Sequence, residues 1–315
     1  MRGFVLAAGF GTRLRPLTDH IPKALVPVCG KPLLARSLAF LRGHGVTEIA
    51  VNSHYLADKI ENFRREQKEG FSLYYEEGDI RGTGGALYFA REFLSGDEAF
   101  AVINADIVCD IDLRRIASQF LNSSASCALI AFPAENGRGT ILYNRESGAY
   151  LGTPGEQERD ALTGDADFIG AALYRKGFLK ILMPDDFSIV PVWKRAVKMG
   201  MEVQVMIQES GWWRDTGTPD SLAEIHFAVL DKKIEVEIGE ELRIDYERKN
   251  CYPASLYECL SGNPGSYAWV ESLNTGANCR ICRSVVLRDT PVDNDSVICD
   301  SILTPWGAIG LNGKN

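Results

Sequence analysis

Over its first 230 residues the chain alternates short apolar runs with amphipathic ones, and few architectures accept that pattern. Phe4-Val5-Leu6-Ala7-Ala8 reads as a buried strand running into a glycine-rich turn. Apolar residues at helical spacing follow over Lys31–Leu41, then a strand over Glu48–Asn52 and a helix over about Ala57–Lys68. A third strand, Phe71–Tyr75, leads through glycines to a helical run at Ala86–Leu94. A fourth, Ala99–Ile103, precedes a helix at Leu113–Leu121 and the strand Cys127–Phe132. Such alternation predicts an α/β fold with a mostly parallel sheet flanked by helices. Ligands then bind at the carboxyl ends of strands, so the turns after strands one and four are the places to look.

The texture changes after about Lys233, where helical periodicity stops and Gly, Pro, Asn, Ser and Cys become frequent. Val286, Val292 and Ile298 recur every six residues between polar turns, the signature of a left-handed β-helix of hexapeptide turns. The expected organisation is therefore a first domain over 1–233 and a β-rich extension over 234–315. So few turns bury little surface alone, so the extension should pack on the first domain or on another subunit.

The formal charge is −8, which disfavours a non-specific grip on nucleic acid or an anionic membrane. Residues 1–36 nevertheless hold six Lys or Arg against the single acid Asp19. A basic segment in an acidic protein suggests a small anionic ligand. The N-terminal apolar stretch is too short for a signal peptide and no run could span a bilayer, so a cytoplasmic location is expected. Most of the eight cysteines should then be reduced and buried, and Cys279-x-x-Cys282 reads as small packed residues. The four histidines form no ligand pattern, and His226, in an apolar helical stretch, reads as packed.

The most informative stretch is Leu6-Ala7-Ala8-Gly9-Phe10-Gly11-Thr12-Arg13-Leu14-Arg15-Pro16-Leu17-Thr18, continued by Pro22-Lys23-Ala24-Leu25-Val26-Pro27-Val28. Glycines without β-carbons let backbone N–H groups approach an anion. Thr12 adds a hydroxyl, and Arg13 and Lys23, ten residues apart, can grip a polyphosphate from two directions. Pro16 and Pro22 keep the connecting loop from becoming helical. The third glycine of the dinucleotide fingerprint and the Gly-Lys-Ser/Thr of a Walker A loop are both missing.

Residues 6–28 resemble the signature of the sugar-1-phosphate nucleotidylyltransferases, which make nucleoside diphosphate sugars from a nucleoside triphosphate and a sugar 1-phosphate. The resemblance implies a Rossmann-like core with Arg13 and Lys23 as the catalytic cations. It implies that Leu6, Ala8, Gly9, Gly11, Thr12 and the loop Gly82-Thr83-Gly84 contact the nucleotide, and that Gly139 and Gly170 contact the sugar. Asn104-Ala105-Asp106 resembles a triplet that usually has a central glycine, and Trp212–Pro219 resembles the family's Trp-x-Asp-x-Gly-Thr-Pro segment. Asp106 and Asp215 are thereby the expected Mg²⁺ pair, consistent with magnesium's preference for oxygen ligands. Asp110 and Asp112 read as a turn or helix cap.

The substrates implied are an NTP, with GTP and a manno-configured sugar favoured by Gly-Thr-Gly-Gly. A Glu-Lys-Pro element common among relatives is absent, Gly152-Thr153-Pro154-Gly155-Glu156 standing there instead. That absence is shared with the N-acetylmuramate 1-phosphate uridylyltransferases and keeps UTP open. The rival from another class is a non-catalytic nucleotide-sugar-binding regulator. No nucleic acid or membrane partner is expected, and the extension suggests a homo-oligomer.

Overall fold

The computed structural model describes residues 1–66, 70–134, 138–155, 159–256 and 265–312. Lys68 and Glu156, named above, and Cys259, one of the eight cysteines, lie outside them. In chain order, β1 (Arg2–Leu6) leads through α1 (Leu17–His20) to the hairpin β2 (Pro27–Val28) and β3 (Lys31–Pro32), then α2 (Leu33–Gly43) and β4 (Ile49–Ser53). Next come α3 (Ala57–Glu66), β5 (Ser72–Tyr75), α4 (Gly82–Phe89), α5 (Arg91–Leu94), β6 (Ala99–Asn104), β7 (Ile107–Asp110) and α6 (Leu113–Leu121). They are followed by β8 (Cys127–Pro133), β9 (Ile141–Asn144), β10 (Tyr150–Gly152), β11 (Thr163–Arg175), α7 (Ile189–Lys198), β12 (Val203–Ile207), β13 (Trp212–Asp215) and α8 (Pro219–Leu230). The chain divides into two compact units, Met1–Gly9 with Arg36–Trp213, and Phe10–Ala35 with Arg214–Asn315.

The first unit is built on a mixed sheet. Its strands β5-β4-β1-β6 run parallel, and β4 and β6 are buried along nearly their whole length, as strands covered on both faces must be. Beyond β6 the expectation of a mostly parallel sheet fails. The thirteen-residue β11 is antiparallel to β6, β8 and β9, and only β12 on β8 restores a parallel pair. Helix α6 shows why its sequence is helical: Leu113, Ile116, Ala117 and Phe120 share one buried face, and Asp112 caps it by accepting the Arg115 N–H at 2.9 Å. The cap reading of Asp112 is thus what the structure has. In the core Trp193 Nε1 donates to Tyr174 Oη at 3.0 Å. Burial pushes the Tyr174 hydroxyl and the Cys127 thiol well above their ordinary pKa values, and Cys109 up to about 12, so all three stay neutral.

In the second unit α8 starts at a capping box, Thr218 and Ser221 bonding reciprocally, with Pro219 in the first turn. The tail adds β14 (Leu242–Asp245), β15 (Asn250–Pro253), β16 (Ala268–Val270), β17 (Arg280–Cys282), β18 (Ser284–Val286), β19 (Val297–Cys299), β20 (Ser301–Thr304) and β21 (Gly307–Gly310). Parallel pairing sets Ala268 beside Ser284, Val285 beside Ile302 and Ile281 beside Ile298, about seventeen residues per rung. Val286, Val292 and Ile298 all face the core of this coil, with Tyr252, Val270 and Ile281. One sequence expectation is corrected here. Cys282 is not a buried thiol; the rung register places it opposite Cys299, with Cα atoms 4.8 Å apart, and the two form a disulfide. Cys29, Cys127, Cys251 and Cys279 are buried and outside any disulfide among the described residues, as is the partly exposed Cys109. Among the described residues, no helix is long and apolar enough to cross a membrane.

Candidate active site

In the first unit the parallel strands β1 and β6 end side by side, Leu6 opposite Asn104, and the Ala105 N–H donates to Leu6 O at 3.0 Å. This is the sheet edge where open α/β folds place ligands. Asp106 occupies the two-residue turn between β6 and β7 and is half-buried. Past β1, Ala8 is buried while Gly9 is exposed, and a β-carbon on Gly9 would meet nothing within 4 Å. Space is thus open for an anion at the backbone.

A cavity of about 240 Å³ opens at this edge. It brings together Leu6 and Asn104 from the strand ends, Thr83 from α4, Phe168 and Gly170 from β11, and Trp193 from α7. Gly170 is required by conformation and by space. Its φ is +77°, β11 slips register between Phe168 and Ala171, and a β-carbon would lie 2.6 Å from Asn104 Nδ2. Gly139 lies against the backbone of Ala166, and the Thr140 hydroxyl accepts the Phe168 N–H at 2.8 Å.

The Gly82-Thr83-Gly84-Gly85 segment, read as a turn before a helix, is itself the first turn of α4. The Thr83 hydroxyl accepts the Ile189 N–H at 2.9 Å, and Gly82, at φ +67°, abuts the Phe187 carbonyl. These glycines therefore also seat the segment that leads into α7. Sequence reasoning passed over two residues that fix both ends of this region. Asn52 Oδ1 accepts the Ala7 N–H at 2.7 Å, Asn52 Nδ2 donates to Glu76 Oε1 at 2.7 Å, and Glu76 Oε2 accepts the Arg81 N–H at 2.8 Å. Both side chains are buried. The available signal was a polar pair closing two apolar strands.

In the second unit Gly11, at φ +65°, opens a short 3-10 turn over Thr12–Leu14. Thr18 Oγ1 donates to its carbonyl at 2.7 Å, and buried Leu14 anchors the turn, leaving Thr12 and Arg13 exposed. Lys23 begins a second 3-10 turn after Pro22. The charged groups meet at Gly217, whose N–H donates to Asp215 Oδ1. A β-carbon there would lie 2.5 Å from Arg13 Nη2, 2.6 Å from Asp215 Oδ1 and 3.0 Å from Lys23 Nζ. Two cations and a carboxylate, distant in sequence, thus converge on one bare stretch of backbone.

Among the described residues, no group of three or more His, Cys, Asp or Glu is placed to hold a metal. Asp106 in the first unit is half-buried and Asp215 in the second is exposed; each is a carboxylate of the kind Mg²⁺ takes, since that ion accepts one or two carboxylates and fills the rest of its shell with phosphate and water. Burial pushes the thiols of Cys109, Cys127 and Cys251 up and keeps them protonated, and His226 is packed, its Nε2 accepting the Cys29 N–H at 3.0 Å.

Sheet edges of this kind and glycine turns with paired cations are features of phosphate-binding α/β proteins. Residues 2–140 match the sequence model of the family described as Nucleotidyl transferase. The mannose-1-phosphate guanyltransferase beta-B of Xenopus laevis is 32% identical over 154 residues, covering 47% of this chain and 43% of that protein. The match thus spans under half the length of this relative. The mannose-1-phosphate guanyltransferase of Candida albicans is 26% identical, covering 98% of this chain and 87% of that protein. Among solved structures, HddC from Yersinia pseudotuberculosis complexed with GMP-PN shares the fold at a TM-score of 0.59 and 23% identity, over 71% of this chain and 98% of that one. Residues 2–140, somewhat under half of the chain, are thus similar to this nucleotidyl transferase family, and the relatives matched here carry mannose-1-phosphate guanyltransferase names.

Proposed function

We propose that this chain is an enzyme that transfers a nucleoside monophosphate from an NTP to a sugar 1-phosphate, releasing pyrophosphate, with GTP and a manno-configured sugar as substrates. The convergence of Arg13, Lys23 and Asp215 on Gly217 carries the reading. The reaction joins two anions, so charge neutralisation and positioning are what it needs most. Arg13 holds the outer phosphates and stabilises the departing pyrophosphate; Lys23 neutralises charge at the α-phosphate as the sugar phosphate oxygen attacks in line. Backbone N–H groups from Gly9 to Thr12 cradle the triphosphate, and the edge of the Leu6–Thr83–Gly170 cavity receives base and sugar. Asp106 and Asp215 would hold Mg²⁺, which when bound offsets the negative charge shared by the two phosphates. The guanyltransferase relatives and the GMP-PN complex of HddC support GTP.

One observation favours a second reading. Phe168, Ile189, Val190 and Trp193 line the cavity, and apolar walls suit an acylated sugar better than one bearing only hydroxyls, as a UTP-using N-acetylmuramate-type uridylyltransferase would need. A left-handed coil beyond residue 233, self-association through it and a cytoplasmic location complete the proposal.

The test is pyrophosphate release with Mg²⁺ across GTP, UTP, dTTP, CTP and ATP, each against mannose, heptose and N-acetylmuramate 1-phosphates. Release that requires one triphosphate and one sugar phosphate supports the transferase and names both substrates. Silence with nucleotide-sugar binding intact replaces the enzyme with a regulator.

A further inference from the structure

We infer that helix α8 and the C-terminal coil position the loop carrying Arg13 and Lys23, with His226 of α8 and Glu271 and Trp306 of the coil as positioning residues; the catalytic part of this inference rests on the proposed reaction. Between Phe10 and Ala35 regular structure is sparse: 3-10 turns at Thr12–Leu14 and Lys23–Leu25, the four-residue α1 and a hairpin with two-residue strands. Pieces this short do not hold their shape alone. Yet the chemistry asks two cations to wait in place before substrate arrives, because preorganised charge is what lowers the barrier.

The tail, joined at one of them by His226 of α8, supplies the missing support at two seats. At the first, the Trp306 ring stacks on His20, with centroids 4.6 Å apart and planes 11° from parallel. Beside it Pro16 Cγ lies 3.6 Å from the β-carbon position of Gly307. The second seat is the turn of the β2–β3 hairpin, where Cys29 and Gly30 have φ of 49° and 80°. Here the Cys29 N–H donates to His226 Nε2 at 3.0 Å and the Gly30 N–H to Glu271 Oε1 at 2.7 Å. Glu271 Oε1 also accepts the Trp269 Nε1–H at 3.1 Å, and His226 Nδ1 donates to Leu222 O at 2.7 Å. His226, Trp269 and Glu271 are at most 2% exposed, so this seat is rigid. Lys31, just past the turn, pairs with Glu237. Arg13 stands three residues before Pro16, and Lys23 three after His20 and six before Cys29. Each cation is thus flanked by anchored positions, and none of the anchors needs to touch substrate.

The experiment uses the full chain and two readouts. Hydrogen exchange follows the Leu14, Leu25 and Val26 amides, which bond only within the loop, to Gly11, Pro22 and Lys23 carbonyls. Trp306 is 41% exposed, so its replacement leaves the core intact. Trp306→Ala should speed exchange of these amides about 3- to 10-fold, the range expected for losing one aromatic pair, while Trp306→Phe restores it. Exchange in Trp306→Ala equal to wild type overturns the inference. In turnover, kcat should fall in Trp306→Ala while the KM for sugar 1-phosphate holds, and adding His20→Ala should cost nothing more, because both changes remove one contact. A purely structural role predicts additive losses and no rescue by Phe, and that pattern overturns the catalytic part. Glu271→Gln, which keeps both acceptor contacts, should match wild type where Glu271→Leu loosens the loop. A wild-type protein silent with every triphosphate refutes the proposed reaction, and the exchange data then still decide the positioning.

Discussion

A single β-carbon at Gly217 would come within 3.0 Å of Arg13, Asp215 and Lys23 together, so the absence of a side chain there keeps three charged groups in mutual reach. Gly217→Ala should therefore cut turnover at least tenfold while circular dichroism stays native, because the methyl pushes the guanidinium and ammonium apart. Arg13→Ala and Lys23→Ala should each cost about 100-fold or more in turnover, the scale of losing a preorganised charge contact. Near-normal rates in both variants would remove the basis of the transferase reading. Asn52 belongs at this scale too. Asn52→Ala strips a partner from buried Glu76 and from the Ala7 N–H, and should destabilise the fold by about 2–3 kcal/mol in urea unfolding.

At the scale of elements, what the sequence discloses depends on how far a contact reaches. Helix α6 was legible residue by residue, because its buried positions repeat with the helical period and its cap is local. The six-residue spacing of Val286, Val292 and Ile298 was legible for the same reason. The antiparallel course of β11 was not, since its apolar residues would serve either direction and its register is set by a bulge at Gly170. Nor was the Cys282–Cys299 bridge, which depends on a rung length seen only once the coil is wound. That bridge closes a loop of about seventeen residues and should be worth roughly 2–4 kcal/mol. Cys282→Ser should lower the unfolding midpoint to that of reduced wild type, and a midpoint indifferent to reductant would deny the bridge any such role. Behind α8, Asp231 takes hydrogen bonds from Lys249 Nζ at 2.8 Å and Tyr267 Oη at 2.7 Å, and Lys249 foremost holds its carboxyl far below the usual range. A depressed carboxylate pKa stabilises the fold above its unfolded value near 4, and the benefit drains away as pH falls towards the folded value. The stability gap between wild type and Asp231→Asn should therefore be widest above about pH 4 and shrink below it, as thermal melts across pH 7 to 2 would register.

For the molecule as a whole, the segregation of charge is the property most open to measurement. A +5 segment at residues 1–36 within a protein of net −8 concentrates attraction where the triphosphate is proposed to bind. Nucleotide affinity should weaken steadily between about 50 and 300 mM salt, and Arg13→Ala should flatten that slope in calorimetric titrations. The sequence showed where the composition changes, near residue 233, but not that Phe10–Ala35 groups with Arg214–Asn315. The reason is distance along the chain: Cys29 meets His226 across 197 residues and Gly30 meets Glu271 across 241, and no periodicity records such pairs.

That grouping has a consequence for recombining this chain with its relatives. A graft that exchanged everything after residue 233 would carry in a foreign coil against a native loop, separating the Gly30 N–H from its glutamate and His20 from its tryptophan. Junctions at 9/10, 35/36 and 213/214 would instead move loop and coil together. One boundary between the compact units, at 9/10, falls inside the chain's most recognisable motif.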